Sequence, residues 1–297
     1  MSRIWCLACA VAVAACGSYV DRQAAASTYR ILLKSREAAQ RQVDIELARE
    51  AMPGGLLQLD AFALAYPDHR GFRELHADAV CEYAAAFVFD DWEDATLGGR
   101  AAEADRLARR LGPLLAACVE ANLALLPPAW RVARAAGPEA AMAALSSASR
   151  AQVPALLWIA SADALALALH PMQHLAELPA ITATLARCAE LAPGFRDAGA
   201  ELVLATLIAA RSQVLGGDDG GAQFTGARRL AGDGALIADV MFARGAAVAR
   251  KDRALFEATL RRVIATDVTR WPARRLGNEL AVRKARRYLA AEAVLLP

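Results

Sequence analysis

A helix that is apolar on nearly every face cannot fold alone, and this chain carries one at residues 201–215, within GAELVLATLIAARSQVL. After Glu201, only Thr206, Arg211, Ser212 and Gln213 interrupt its small and apolar residues, so it must be covered on more than one side. The run Gly216-Gly217-Asp218-Asp219-Gly220-Gly221 then supplies residues that end a helix and reverse the chain. Phe224, Ala227 and Leu230 follow at helical spacing. A helix-turn-helix pair of this kind needs similar pairs stacked on both sides, as helical repeats provide.

The rest of the chain supplies them. Hydrophobic residues make up 57% of it but aromatic ones only 6%, so alanine and leucine carry the excess and helix axes can approach closely. No sustained alternating run of Val, Ile, Thr and Tyr suggests a strand. The expected fold is all-α, an α-solenoid of degenerate helical hairpins with roughly eleven or twelve helices. Residues 21–49 read as one helix, Met52-Pro53-Gly54-Gly55 as its interruption, and Leu56 to Tyr66 as a short helix. Phe72, Leu75, Ala79, Val80, Tyr83 and Phe87 form an amphipathic pattern. Pro113 predicts a kink or break within 101–126. The apolar stretch Val153 to Leu169 reads as buried core and not a membrane span, because Asp163 lies within it. No polar linker divides 16–297 into separate domains.

The first residues belong to another process. Arg3 and the apolar run Ile4 to Ala15 have the charge and length of a signal peptide, too short to cross a bilayer. Val13-Ala14-Ala15-Cys16 resembles a bacterial lipobox, which makes 1–15 the leader and Cys16 the lipidated first residue of an exported protein. Gly17 in place of an acid favours the outer membrane. Cys6 and Cys9 would be lost with the leader. Cys81, Cys118 and Cys188 remain, an odd number inside apolar helices, and read as small buried hydrophobes; an oxidising compartment also permits one disulfide.

Tetratricopeptide repeats place small residues, an aromatic and a proline at set positions of their second helix. Leu185, Cys188 and Pro193 occupy three of those places; Phe224 and Ala227 occupy two, with Gly220 where alanine is usual. Several segments occur in the order and near the spacing of one family. These are Tyr83-Ala84-Ala85-Ala86-Phe87, Leu156-Leu157-Trp158, the run from Arg187 to Pro193 with Gly199, the Gly216-Gly217-Asp218 turn, residues 252–256, and residues 275–285. On these the chain from about 52 to 289 resembles TatT, the T-component family of TRAP transporters. Gly220 and Gly226 depart from that pattern and are expected to shorten or loosen the helix after the turn.

The resemblance implies a non-catalytic periplasmic lipoprotein, anchored to a membrane, whose partner is a TRAP solute-binding protein. It also implies handling of a small, apolar organic ligand, and self-association with a homo-trimer as the first state to test. Ligand-lining candidates are Tyr83, Phe87, Trp158, Asp163 and Asn278, aromatic or polar groups suited to a largely apolar pocket; the alternative is that all five are ordinary core contacts. Between Arg244 and Arg287 thirteen basic residues face only Asp252, Glu257, Asp267 and Glu279. Arg283, Lys284, Arg286 and Arg287 are therefore candidates for docking an acidic partner, with a solvated basic face as the alternative. Export argues against nucleic acid.

No cofactor or metal is expected. His170 and His174 are four apart, but Pro171 disfavours the continuous helix a zinc pair needs. The acids Asp90, Asp91, Glu93 and Asp94 lack the glycine and spacing of a calcium loop. A repeat lipoprotein scaffolding envelope proteins is the competing function, and a helical enzyme the third.

Overall fold

The computed structural model describes residues 21 and 23–297, so the leader and Cys16 lie outside the described residues. Among the described residues there is no strand, and the chain is all-α. Helix α1 (23–40) ends earlier than expected, and Asp44 opens α2 (Ile45–Ala65) by accepting from the amides of Glu46 and Leu47 at 2.9 and 3.1 Å. α2 runs unbroken through Pro53-Gly54-Gly55, against expectation. Its packing on α3 (Arg70–Tyr83), where Phe62 stacks on Phe72 at 5.2 Å, offsets the hydrogen bond that Pro53 cannot make.

α3 continues through a π-helical turn, Ala84–Val88, into α4 (Phe89–Leu97). α5 (Ala101–Leu123) also absorbs its proline, Pro113, within one helix. Cys81 and Cys118 form a disulfide between α3 and α5, so one of the two readings left open for these cysteines is the one built. Cys188 stays free and buried, and burial pushes its thiol up to about 12. Then come α6 (Pro128–Ala135), α7 (Pro138–Ala144), α8 (Val153–Leu169), α9 (Pro171–His174) and α10 (Leu178–Leu191). The last six are α11 (Phe195–Leu215), α12 (Gly221–Ala231), α13 (Leu236–Phe242), α14 (Arg253–Ala265), α15 (Arg275–Ala290) and α16 (Glu292–Leu295).

The α11–α12 hairpin is covered as its composition demands. Ala205 and Ala209 of α11 are fully buried, and so is Phe224 of α12. A second π turn, Ala243–Ala247, brings Gly245 against the Phe224 ring, where a Cβ would come within 2.6 Å of it. Small residues on two elements thus form the slot that one aromatic fills. Helices mostly pack on near neighbours in sequence, but α15 returns to α2 and closes the stack on itself. Of the two membrane-length apolar helices, α8 contributes Leu156, Leu157 and Ile159 to the largest core cluster. α11 contributes Leu202 and Ala205 to another.

Gly220 does not loosen α12; it precedes it. With φ at +72° it caps the helix in the left-handed region, and a Cβ there would lie 2.8 Å from the Ala205 carbonyl. Gly226 is inside α12 with open space where a Cβ would go. Gly220→Ala should therefore lower unfolding stability by about 1–3 kcal/mol, while Gly226→Ala should raise it by about 1 kcal/mol, both measured by urea denaturation. Equal effects of the same sign would contradict the cap geometry.

Candidate functional site: two buried charge centres

Two charged centres join elements distant in sequence. The first surrounds Asp78 on α3. Its Oδ1 accepts from Trp158 Nε1 of α8 at 2.8 Å and from Arg196 of α11 at 2.6 Å. Its Oδ2 accepts from Arg36 of α1 at 2.6 Å, and Arg36 also donates to Glu82 at 2.5 Å. The Arg196 guanidinium lies 5.1 Å from the centroid of the Trp158 ring and 5.6 Å from that of Phe195. Burial opposes the Asp78 charge, but Arg196 and Arg36 outweigh it and hold its pKa below the ordinary aspartate value. At Glu82 burial wins and the pKa is raised.

Arg196 reaches this position through an unusual backbone. Arg196, Asp197 and Ala198 have φ of 50°, 56° and 61°, a left-handed turn at the start of α11. Side chains in that region cost roughly 1–2 kcal/mol per residue. The surroundings hold it: Glu201 accepts from the Gly194 amide at 2.9 Å, Arg274 pairs with Asp197 at 2.6 Å, and Ala198 is fully buried. Strain of this kind persists only where neighbours over-determine it.

The second centre lies where α15 meets α4, just after the first π turn. Asp90 is 4% exposed. It accepts from Arg287 at 2.7 Å and Arg283 at 2.9 Å, and Lys284 lies 2.9 Å away. Glu93 accepts from Lys284 at 2.6 Å, Arg287 at 2.7 Å and the Tyr288 hydroxyl at 2.7 Å. Arg283 also reaches Glu46 of α2 at 3.3 Å. Burial penalises both carboxylates, yet Lys284 and Arg287 hold their pKa values below the usual range. Burial likewise opposes the Lys284 and Arg287 charges, but Tyr288, Glu93 and Asp90 outweigh it at Lys284 and Asp90, Glu93 and Tyr288 outweigh it at Arg287, so both are raised. Burial pushes Tyr288 up to about 12.

These placements correct two expectations. The basic quartet is not a free face: Arg283, Lys284 and Arg287 are spent on Asp90 and Glu93, because acids on α4 face them across the closure, and only Arg286 is exposed. The five ligand-lining candidates are engaged in the fold's own contacts: Tyr83 and Phe87 belong to the largest core cluster and Trp158 packs against it. Tyr83 ends α3 and Phe87 lies within the π segment, the Tyr83 hydroxyl taken by Arg110 and the Phe87 ring faced by Arg49 at 5.7 Å. Asp163 is held by two hydrogen bonds from Arg134, both 2.7 Å, tying α8 to α6. Asn278, 2% exposed, accepts from the Leu236 amide at 3.3 Å and so caps α13 from another helix. Trp158 alone of the five joins one of the two centres. His174 lies 3.3 Å from Glu177 in a one-turn helix begun by Pro171.

Sequence reasoning missed Arg36, Asp78, Glu82 and Arg196. One signal was available: Pro193-Gly194 marks a break immediately before Arg196, so residues after it need not be helical.

In both centres every carboxylate is matched by Arg or Lys on another helix, and the pairs tie together helices of an all-α fold. That is the architecture of a protein that holds its own helices in fixed relation. A family model, TRAP transporter T-component, matches residues 41–295, and the chain belongs to that family, an accessory component of TRAP transport systems. A search of curated proteins returns no match to this chain.

The closure makes two predictions. Lys284→Met leaves buried acids undercompensated and should cost about 3–5 kcal/mol, whereas Lys34→Met, at an exposed pair with Glu37, should leave the unfolding midpoint nearly unchanged. The depressed Asp78, Asp90 and Glu93 stabilise the fold above the ordinary carboxylate range of about 4, and this stability is lost as pH falls through their lower folded values. Glu82, raised, acts in the opposite sense, and three outweigh one. The urea midpoint should be lower at pH 3 than at pH 6, and the difference should shrink in Lys284→Met. At the left-handed turn, Asp197→Val should be less stable than Asp197→Gly by about 1–2 kcal/mol, since both lose the pair with Arg274 but only glycine accepts the positive φ without strain; thermal unfolding of both variants checks the pair.

Proposed function

We propose that this protein is an exported, lipid-anchored accessory of a TRAP transport system that works by association and not by catalysis. The family match over 41–295 carries the reading. The lipobox ending in Cys16 supports the address: periplasmic, on the outer membrane. In this reading the solute-binding receptor docks on the outside of the closed stack and an organic ligand passes between the two proteins. A homo-trimer is the assembly to test first. Packing of Tyr83, Phe87 and Asn278 into the fold's own contacts favours a second reading, an envelope scaffold that binds protein partners.

Wild-type protein isolated from crosslinked cells should carry a TRAP solute-binding receptor, with small organic molecules detected by native mass spectrometry. Recovery of unrelated envelope proteins and no receptor would favour the scaffold. Metabolic labelling with a palmitate analogue should vanish in Cys16→Ala, and unchanged labelling would end the anchor.

A further inference from the structure

The outward face of α2 carries a row of exposed apolar and small residues, interleaved with the exposed Glu46, Glu50, Gln58 and Asp60. Leu47, Leu57 and Leu64 are 51%, 75% and 75% exposed. Ala51, Gly54, Ala61 and Ala65, also exposed, fill the intervening turns at spacings of three and four. The stripe is about 26 Å long. Its opposite side is occupied, since α2 packs on α3 and, near its start, on α15. Three large leucines on this side are therefore left without protein cover.

The path by which the chain enters the fold identifies what lies opposite this face. Tyr29 of α1 packs on His69 and Phe72, at 5.2 and 5.9 Å, and Phe62 of α2 stacks on the same Phe72. The beginning of α1 thus lies at the same end of the α2–α3 hairpin as Leu64, with Leu57 two turns further along α2. Only five residues lead from Cys16 to Asp21, a reach of at most about 18 Å. If Cys16 carries lipid, the end of the molecule that bears these leucines is held near the headgroups. Ile31 of α1, 66% exposed, adds to the apolar surface of the same hairpin.

We propose that the exposed face of α2, centred on Leu57 and Leu64, rests on the phospholipid bilayer to which Cys16 is anchored, and so fixes the orientation of the helical stack on the membrane. The inference rests on the lipoprotein reading above. It assigns α2 a lipid surface as its partner and leaves the remaining faces of the stack to proteins.

The test uses the full lipidated chain with single added thiols at Leu57→Cys, Leu64→Cys, Leu215→Cys or Val294→Cys. All four native side chains are exposed, so folding tolerates the changes. Cys188 is buried and Cys81 and Cys118 are joined, which leaves the added thiol to react with an environment-sensitive dye. Each protein is placed in phosphatidylethanolamine–phosphatidylglycerol vesicles containing doxyl-labelled lipid. Quenching at 57 and 64 should be about threefold that at 215 and 294. Equal quenching at the four sites, in protein that incorporates the palmitate analogue, would overturn the inference and leave the anchor standing. Absent palmitate labelling would remove the anchor and the inference together. A blue shift at 57 and 64 that depends on protein concentration in detergent, without quenching by lipid, would assign the face to a second copy and overturn the inference.

Discussion

The closed stack depends on burying charge, which is unfavourable unless each ion meets a well-placed partner. Asp90 and Glu93 lie in α4, while Lys284 and Arg287 lie in α15, nearly two hundred residues away. Hydrophobic contacts alone could bring the last helices near the first ones in several registers. A four-membered charge cluster permits far fewer, because displacing α15 by one turn would leave two acids and two bases buried and unpaired. The π turn at Ala84–Val88 belongs to the same constraint, since an added residue rotates the remainder of the helix and sets the face on which Asp90 and Glu93 emerge.

The Asp78 centre does for the middle of the chain what the Asp90 centre does for its ends. One carboxylate receives α1, α8 and α11 through Arg36, Trp158 and Arg196. Three left-handed residues in succession are the conformational cost of aiming Arg196 at it. Arg274 draws the same turn toward α15 through Asp197, so the two centres are linked through one strained segment. The disulfide from Cys81 to Cys118 fixes α3 to α5 close to the Asp78 centre, on the same helix as its carboxylate.

Much of the fold was legible in the sequence because helix periodicity and small-residue content are local properties. The α11–α12 hairpin, the turn between them and the all-α class follow from residues 199–230 and from composition. Proline and glycine were read too strictly: α2 and α5 continue through Pro53 and Pro113, because packing along a helix can outweigh one missing hydrogen bond. The charge centres were not legible. A patch of arginines and lysines in sequence says nothing about which acids face it across the fold, so Arg283, Lys284 and Arg287 read as surface and became closure. The surroundings of Tyr83, Asp163 and Asn278 were not legible for a related reason: each is a polar group whose partner, Arg110, Arg134 or the Leu236 amide, lies on another helix.

A stack that neutralises its acids internally has consequences for how a T-component meets other molecules. Charge locked into Asp78, Asp90 and Glu93 is unavailable for steering a partner, and the aromatic residues Phe72, Phe87, Phe224 and Phe256 are fully or almost fully buried. Recognition must then use side chains that folding leaves outside: Arg286 of the basic quartet, and the exposed leucines and small residues of the outer helices. Those two surfaces differ in chemistry. In the proposed reading the apolar stripe on α2 faces the bilayer, and a protein partner is left to the other faces. The charge centres would make such a division durable, because helices tied together by ion pairs keep their faces in one fixed relation.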